Sequence, residues 1–336
     1  MIKILSFMQS LGGGGAERTI VNIINNLDRA KFDVVLVLGT DKNNDYLDLI
    51  NGDARIEFLD TNNLKYGILK LTKIINKENP DLLFSTINIF NIATLIAKLL
   101  TFKKIPTVVR EANNRTQSGK VTKFNKLLTT LLYNLCASKV IALSKGVKED
   151  LINNFNISRK KIDVIYNPVD IEGINKLSKE PISNPIRKQD EKVLIAVGRL
   201  VEQKDYVTLL KAFNIVSSKL NSRLIILGKG PLELELKTLC QELNIENKVD
   251  FIGFKKNPYK YMAKADAFVL SSKWEGFGHV VVEAMATGTP VISTNCNSGP
   301  PEIIDKNKYG LLVPVGNYED LADKIIVLLS NNNLSE

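Results

Sequence analysis

Two glutamates, Glu275 and Glu283, bracket a glycine-rich turn near the end of the chain. The apolar run at 265–270 has the length of a buried strand, and residues 280–287 predict a helix that ends at Gly288. Backbone N–H groups at such a helix start attract phosphate and sugar oxygens. Both carboxylates can accept hydrogen bonds from the hydroxyls of one sugar or ribose. The pattern favours a sugar-nucleotide site, although glycine turns with scattered glutamates are also common elsewhere.

Two cationic residues, Arg199 and Lys204, follow the predicted strand 193–197. A guanidinium offers a planar fork of donors and an ammonium offers a compact point charge, which together suit the two phosphates of a nucleotide diphosphate. The alternative interpretation is that both are surface charges without a ligand. The Gly-Lys-Gly segment at 228–230 indicates either a support for the same diphosphate or a plain tight turn.

Four consecutive glycines at 12–15 follow the first predicted strand and precede a helix that we expect to start near Glu17. Glycines allow the backbone to approach a ligand closely. A nucleotide P-loop ends in Gly-Lys-Ser/Thr, whereas Ala16 and Glu17 stand here, and the dinucleotide fingerprint G-x-G-x-x-G also fits poorly. The sequence therefore argues against ATP or GTP hydrolysis.

Elements that could position these residues alternate along the whole chain as strand-like and helix-like patterns. The predicted strands are 3–7, 34–38, 82–85, 107–110, 139–142, 193–197, 223–227, 249–252, 267–271 and 291–293. This rhythm predicts an α/β fold with parallel sheets covered by helices on both faces. Periodicity is lost between 171 and 191, which predicts a linker. We therefore expect two Rossmann-like domains, 1–168 and 169–336.

Composition excludes several classes of protein. The chain has 336 residues, 44% of them hydrophobic and 24% charged, as in an ordinary globular protein. Its three cysteines form no C-x-x-C pair, so we expect neither disulfides nor a zinc site. We find no signal peptide and no apolar run near the roughly 18 residues of a membrane span. These features predict a cytoplasmic protein, free or on a membrane surface.

The net charge of +9 lies entirely in the first half, where 24 Lys and Arg face 15 Asp and Glu, against 21 and 21 in the second. Such an excess suits nucleic acid, an anionic membrane or a phosphorylated substrate. Nucleic acid is disfavoured because no helix-turn-helix, RNP-like or zinc-finger pattern is present.

The segment from Glu275 to Glu283, with Gly-Phe-Gly between them, resembles the E-x7-E signature of the retaining GT-B glycosyltransferases of family GT4. Segments 197–205, 227–231 and 166–170 agree with it. The resemblance implies a GT-B fold, in which two Rossmann-like domains face a central cleft. It also implies that the first domain binds the acceptor and the second binds the nucleotide sugar. The run 296–303 is similar to a bacterial subgroup that builds lipid-linked or surface glycans.

Residue roles follow from the same resemblance. The expected catalytic residues are Glu275, Glu283, Arg199 and Lys204. The expected donor-binding residues are Gly198, Lys229, Ile252, Gly253, Phe254, Gly276, Phe277, Gly278 and His279. The expected acceptor-side residues are Gly13, Gly14, Glu17, Arg110 and Glu111.

The implied activity is transfer, with retention, of a hexosyl or N-acetylhexosaminyl group from a nucleotide sugar to a hydroxyl of a glycan acceptor. UDP is the favoured nucleotide and a lipid-linked glycan is the favoured acceptor. No D-x-D motif occurs, so we expect no metal and no other cofactor. Two alternatives stay open: a sugar-nucleotide epimerase or hydrolase of the same fold, and a non-catalytic nucleotide-sugar or lipid-binding protein.

The chain departs from the family in two respects. Many relatives place a histidine in the first domain, whereas the only histidine here, His279, lies within the E-x7-E segment. Arg110 and Glu111 are candidates to replace it, and a buried ion pair between them is the alternative. The chain also ends soon after a helix predicted near 320–329, whereas relatives usually continue with a helix that returns to the first domain. The resemblance therefore implies a shortened chain.

A predicted helix within 117–138 carries an apolar stripe with lysines nearby. Its members are Phe124, Leu127, Leu128, Leu131, Leu132 and Leu135, with Lys120, Lys123 and Lys126 beside them. Residues 92–104 form a second apolar segment that ends in lysines. Such helices either rest on an anionic membrane or pack into the core.

Overall fold

The computed structural model describes residues 1–52, 54–61, 63–119, 121–182, 186–187 and 190–330, with residues 64 and 65 described by their backbone alone. The chain divides into two compact units, Met1–Pro168 and Val169–Glu336. Each contains one parallel sheet. Within these ranges, none of the helices combines the length and the apolar character that crossing a bilayer would require.

The sheet of the first unit has seven strands in the order β3-β2-β1-β4-β5-β6-β7. The strands are β1 (Ile2–Met8), β2 (Phe32–Leu38), β3 (Arg55–Phe58), β4 (Leu82–Thr86), β5 (Thr107–Glu111), β6 (Lys139–Ala142) and β7 (Ile162–Val164). The helices are α1 (Gly15–Asn26), α2 (Leu64–Glu78), α3 (Asn88–Leu100), α4 (Lys123–Leu135) and α5 (Lys145–Phe155), with short 3₁₀ helices at Leu47–Leu49 and Arg159–Lys161.

The sheet of the second unit has six strands in the order β10-β9-β8-β11-β12-β13. The strands are β8 (Lys192–Val197), β9 (Ser222–Leu227), β10 (Val249–Gly253), β11 (Ala267–Leu270), β12 (Val291–Thr294) and β13 (Leu311–Val313). The helices are α6 (Ile171–Ser178), α7 (Tyr206–Lys219), α8 (Glu233–Glu242), α9 (Tyr259–Met262), α10 (His279–Ala286), α11 (Pro300–Ile304) and α12 (Tyr318–Ser330), with 3₁₀ helices at Glu202–Lys204 and Glu246–Lys248.

The second sheet is buried on both faces, as a parallel sheet requires. Along β8, Leu194 packs into a core formed with α7, α8 and α12, while its neighbour Ile195 packs into a second core with α6, α9 and α10. Successive side chains of a strand point to opposite faces. The continuous apolar run at 193–197 therefore supplies both cores. The prediction of an α/β fold with parallel sheets in two domains is confirmed.

The predicted linker at 171–191 was wrong at its start, because α6 occupies Ile171–Ser178. Asp170 caps this helix, accepting a hydrogen bond from the Gly173 N–H at 2.9 Å. Ile174 is buried in the core beneath. Eight residues with a glycine in the first turn give too weak a helical period to recognise.

Three strands were absent from the sequence prediction: β3, β7 and β13. All three lie at an edge of their sheet and contain only three or four residues. Edge strands bury less surface, so their sequences carry less of the apolar signal on which such predictions depend.

Candidate active site

The order of the second sheet places the candidate residues at one edge. The chain runs outward from β8 to β10 and then restarts on the other side of β8 with β11. Parallel α/β sheets bind ligands outside the carboxyl ends of strands that flank such a switch point. Arg199 follows β8 there and Glu275 follows β11.

Lys204 and Glu275 form an ion pair, with 2.6 Å between Lys204 Nζ and Glu275 Oε1. Both side chains are nearly buried, which makes the pair stronger than one in open water. Ser272 donates a second hydrogen bond to the same carboxylate oxygen at 2.7 Å. Ser271 Oγ donates to the Lys204 carbonyl at 2.8 Å. The loops after β8 and β11 are therefore joined through both side chains and backbone.

Buried hydroxyl and thiol groups from the end of β12 and the loop after it support the loop that carries Glu275. Ser298 Oγ donates to the Glu275 carbonyl at 2.5 Å, and Thr294 Oγ1 donates to the Ser272 carbonyl at 2.6 Å. Cys296 Sγ donates to that carbonyl at 3.1 Å, and burial raises the pKa of its thiol to about 11. The thiol is therefore neutral at physiological pH and acts as a donor.

Glycines set the shape of the turn between the two glutamates. Gly278 has φ of 86° and caps α10 without a side-chain hydrogen bond. Gly299 has φ of 82°, and a Cβ there would lie 2.4 Å from the Phe277 carbonyl oxygen. The β12–α11 loop therefore packs directly on the turn, and L residues with side chains are disfavoured at 278 and excluded at 299.

Glu283 has surroundings different from those of Glu275. It is buried in the second turn of α10, and its Oε1 accepts a hydrogen bond from Tyr259 Oη at 2.9 Å. His279 Nε2 lies 3.7 Å from the same oxygen, one helical turn earlier. A protonated His279 would form an ion pair with this carboxylate.

Two further cationic side chains extend from the same edge of the sheet. Arg199 is exposed, and its guanidinium makes no hydrogen bond or ion pair within the described ranges. Lys229, also exposed, places its ammonium 5.4 Å from the centre of the Phe254 ring. Gly228 donates to the Gly253 carbonyl at 3.0 Å, which brings the ends of β9 and β10 together.

Backbone packing also restricts Gly228, where a Cβ would lie 1.9 Å from the Gly198 carbonyl oxygen. Gly198, at the end of β8, donates from its N–H to the Leu227 carbonyl at 2.9 Å. Ile252, the residue before Gly253, is half-buried within β10. Gly198 and Gly228 therefore allow the ends of β8 and β9 to pack closely, independently of any contact with a ligand.

The glycine loop of the first unit precedes α1, and its last member before the helix, Gly14, is the N-cap residue. A Cβ on Gly14 would lie 2.4 Å from Glu17 Oε2, so the Glu17 carboxylate folds back over the loop. The Leu11 N–H donates to Asn44 Oδ1 at 2.7 Å, which ties the β2–β3 connection to this loop. Gly13 lies between these anchored points.

Arg110 and Glu111 are neighbours on β5 but do not pair with one another within the described ranges. Arg110 donates to Thr86 Oγ1 at 2.7 Å and to Asn167. Burial lowers the pKa of Arg110 to about 10, and the charge of Glu17 opposes this shift. Arg110 therefore stays charged at neutral pH.

Glu111 points to the opposite face of β5, where Tyr133 of α4 and Asn88 of α3 donate to its carboxylate. Burial raises the pKa of Glu111, and the nearby charge of Arg115 opposes the shift. The ion pair considered between Arg110 and Glu111 is therefore wrong, because adjacent residues of a strand face opposite sides. Arg110 and Glu111 therefore make their hydrogen bonds on opposite faces of the first sheet.

Sequence analysis missed Tyr259, Ser272 and Ser298, which hold the two glutamates. Tyr259 lies outside every motif and carries no signal of its own. In the run 296–303, whose resemblance indicates only the class of acceptor, Cys296 and Ser298 donate hydrogen bonds to the loop that carries Glu275.

The two units, each built on one parallel sheet, have the architecture of a GT-B fold. The Glycosyltransferase Family 4 model matches residues 13–172, and the Glycosyl transferases group 1 model matches residues 178–336. The chain belongs to the GT4-like glycosyltransferases with a GT-B fold, as the sequence predicted.

Individual relatives agree with this assignment. An N-acetylgalactosamine-N,N'-diacetylbacillosaminyl-diphospho-undecaprenol 4-alpha-N-acetylgalactosaminyltransferase of Campylobacter jejuni is 33% identical, covering 99% of this chain and 92% of the relative. The N-acetyl-alpha-D-glucosaminyl L-malate synthase of Bacillus anthracis is 28% identical, covering 79% of this chain and 69% of the synthase. The crystal structure of Anabaena Alr3699/HepE in complex with UDP and glucose has a TM-score of 0.82, with 23% identity over 100% of this chain and 91% of that one, which shows a shared fold.

Proposed function

We propose that this enzyme transfers a hexosyl or N-acetylhexosaminyl group, with retention, from a UDP-sugar to a hydroxyl of a glycan acceptor. The observation that carries the proposal is the Lys204–Glu275 ion pair at the switch point of the second sheet. It places one ammonium and one carboxylate side by side. A diphosphate would bind the ammonium, and hydroxyls of the sugar attached to it would bind the carboxylate.

The diphosphate would meet Lys204, the exposed Arg199 and the N-terminus of α10 at Gly278. As the glycosyl bond breaks, negative charge grows on the diphosphate oxygens, and preorganised cations stabilise that charge most in the transition state. Lys204 already has an anionic partner, so a bound diphosphate would share its ammonium with Glu275. Glu275 would then accept hydrogen bonds from sugar hydroxyls through its remaining lone pairs.

Glu283 would bind the ribose hydroxyls of the donor. Tyr259 fixes one carboxylate oxygen of Glu283 at 2.9 Å. A carboxylate held in one orientation loses less side-chain entropy when it binds two neighbouring hydroxyls. The nucleotide base would lie near Ile252, Gly253 and Phe254, at the end of β10. UDP is favoured because the solved Anabaena complexes, which share this fold, contain UDP or UDP-glucose.

We further propose that transfer needs no metal ion or other cofactor, since Lys204 and Arg199 supply positive charge beside the proposed diphosphate site. Full activity of enzyme treated with EDTA is the expected result. Loss of activity in EDTA, restored by a divalent cation, would overturn this part of the proposal.

The acceptor is proposed to be a lipid-linked glycan of bacterial surface or glycan assembly, used on the cytoplasmic side of the membrane. Support comes from the Campylobacter relative, whose name specifies a diphospho-undecaprenol acceptor. On the acceptor side, Gly13, Gly14 and Glu17 would form the contact surface. The buried Arg110 and Glu111 would hold the end of β5 beneath it.

The test begins with the purified full chain and a panel of nucleotide sugars in a thermal-shift assay, because a specific ligand stabilises in proportion to its occupancy. The stabilising donor is then incubated with lipid-linked and free glycan acceptors, and the product is examined by NMR. The expected product keeps the anomeric configuration of the donor. Conversion of the donor without any acceptor would indicate the epimerase or hydrolase alternative, and binding without turnover would indicate a non-catalytic protein.

The variant test uses Glu283→Gln, which should lower transfer more than tenfold because a neutral amide binds ribose hydroxyls less strongly. Glu233→Gln, on the exposed surface of α8, is the matched control and should leave transfer unchanged. Equal rates in the two variants would refute the assignment of Glu283.

A further inference from the structure

The helix α4 turns polar side chains toward its unit and apolar side chains away from it. Thr129 and Tyr133 are fully buried on the inner side. The outer side carries four large apolar side chains: Phe124, Leu127, Leu131 and Leu135, which are 74%, 58%, 48% and 77% exposed. An ordinary surface helix has the reverse polarity.

Hydrogen bonds hold α4 in place on its inner side. Tyr133 donates to Glu111, Arg115 donates to Thr129 Oγ1 at 2.9 Å, and Thr130 Oγ1 donates to the Phe155 carbonyl at 2.7 Å. Only Leu132 and part of Leu128 add apolar packing from the six-residue stripe that the sequence showed. The core-packing interpretation is therefore wrong for the other four side chains.

The four exposed side chains form one continuous stripe. At about 100° per residue, positions 124, 127, 131 and 135 fall within an arc of about 80°, and they extend about 16 Å along the helix axis. Single apolar residues scattered over a surface are normal, whereas a continuous apolar stripe such as this one is typical of an interaction surface.

The end of α3 enlarges this apolar surface. Leu99 and Leu100 are exposed, and Phe102, directly after the helix, is 95% exposed. Lys98 donates to the Cys136 carbonyl at 2.8 Å, which joins the end of α3 to the end of α4. We call the seven side chains of Leu99, Leu100, Phe102, Phe124, Leu127, Leu131 and Leu135 the α3–α4 face.

The charge around this face is strongly positive. Lys104, Lys123 and Lys126 are exposed close to it. The two segments that carry the face, 98–104 and 123–135, contain five lysines and no Asp or Glu. An occupant of the face must therefore be apolar at its centre and negative at its rim. A second copy of this chain fits poorly, because a two-fold interface would bring the same positive patches together.

We propose that the α3–α4 face docks on an anionic lipid bilayer, with its apolar side chains in the acyl boundary and its lysines among the headgroups. Interfacial helices bind in this way, through buried apolar area together with attraction to anionic lipid. This inference rests in part on the proposed function, because a lipid-linked acceptor would be presented at such a surface. Docking itself involves neither donor nor acceptor and is tested without them.

The test measures sedimentation of the full chain with vesicles of phosphatidylcholine and phosphatidylglycerol, and with vesicles of phosphatidylcholine alone. The wild type should bind the anionic vesicles and lose binding at high salt. The double variant Leu131→Gln/Leu135→Gln should lower its partition coefficient on them about tenfold or more. The control Leu234→Gln changes a leucine of the second unit that is also 77% exposed, and it should bind like wild type.

Charge is tested with Lys123→Ala/Lys126→Ala, which should weaken binding to anionic vesicles, against Lys306→Ala/Lys308→Ala in the second unit, which should not. All these positions are exposed, so unchanged unfolding temperatures are expected and confirm that the variants fold.

Three results would overturn the proposal: no binding of wild type to anionic vesicles, equal binding to neutral ones, or a double leucine variant that binds like Leu234→Gln. A dimer that the leucine substitutions dissociate, without vesicle binding, would assign the face to a second copy instead. If the donor-binding experiments fail while vesicle binding follows this pattern, the proposed function falls and the docking face stands.

Discussion

Each unit carries an arginine and a glutamate at the carboxyl edge of its sheet, but their partners differ. In the second unit, Arg199 is exposed and Glu275 forms an ion pair with Lys204 between two loops. In the first unit, Arg110 and Glu111 are buried on opposite faces of one strand, and their hydrogen-bond partners are neutral side chains.

We interpret the charges of the second unit as available to the proposed ligand and those of the first unit as structural. A partly exposed ammonium that already pairs with one carboxylate can also donate to an incoming phosphate, so that the two anions share it. A buried charge held by neutral donors and acceptors depends on every one of them, because losing a partner leaves it unsatisfied in a medium of low dielectric. We therefore expect substitutions in the second unit to affect catalysis, and substitutions in the first to affect stability.

The largest expected effect is on catalysis in the second unit. Lys204→Ala should lower kcat/KM about 100-fold, because a preorganised cation facing the leaving diphosphate is lost. The control is Lys237→Ala, whose ion pair with Glu233 has the same 2.6 Å distance but is exposed on α8. Steady-state kinetics with the identified donor measures both. Similar losses in the two variants would remove the distinction between the Lys204 pair and an ordinary surface pair.

In the first unit, Tyr133→Phe should lower the free energy of unfolding by about 1–3 kcal/mol, because the buried Glu111 loses a donor. Chemical denaturation measures this change. The matched control is Tyr309→Phe, an exposed tyrosine whose hydroxyl should contribute little. An unaffected stability in Tyr133→Phe would show that this buried network is not structural.

Tyr259→Phe should change KM for the donor but not kcat. The Tyr259 hydroxyl orients Glu283, which we assign to ribose, a group held equally in ground and transition states. KM for the donor should therefore rise about fivefold, equivalent to about 1 kcal/mol, with kcat nearly unchanged. A fall in kcat at constant KM would place Glu283 at the reacting carbon instead.

The smallest expected effect is a pH dependence of stability from Glu111. Burial raises its folded-state pKa above the ordinary value of 4.5, so the folded protein holds a proton that the unfolded chain has released. The wild type should lose stability as pH rises from 4.5 to the folded-state pKa. In Glu111→Gln this loss is absent, so the unfolding free energy of the wild type should fall relative to that of the variant as pH rises above 4.5. A constant difference would show that the pKa of Glu111 is not raised.

The sequence allowed prediction of the central strands, because their apolar runs reflect burial on two faces. The sequence also placed Glu275 before the glycine turn and Glu283 in the second turn of the following helix. This was possible because the apolar spacing within a segment indicates its secondary structure without knowledge of the rest of the fold. Three of the four edge strands, β3, β7 and β13, escaped prediction together with α6, because short, partly exposed elements carry weak patterns.

By itself, the sequence determined the α/β class, the GT4 family and the residue types available for binding a sugar nucleotide. The pairing of Lys204 with Glu275, 71 positions apart, was decided by the order in which β8 and β11 meet. The same holds for Tyr259 beside Glu283, and for the outward apolar stripe of α4. Periodicity shows that residues share a face, but which side of a helix packs against the sheet depends on partners that only the folded chain brings together.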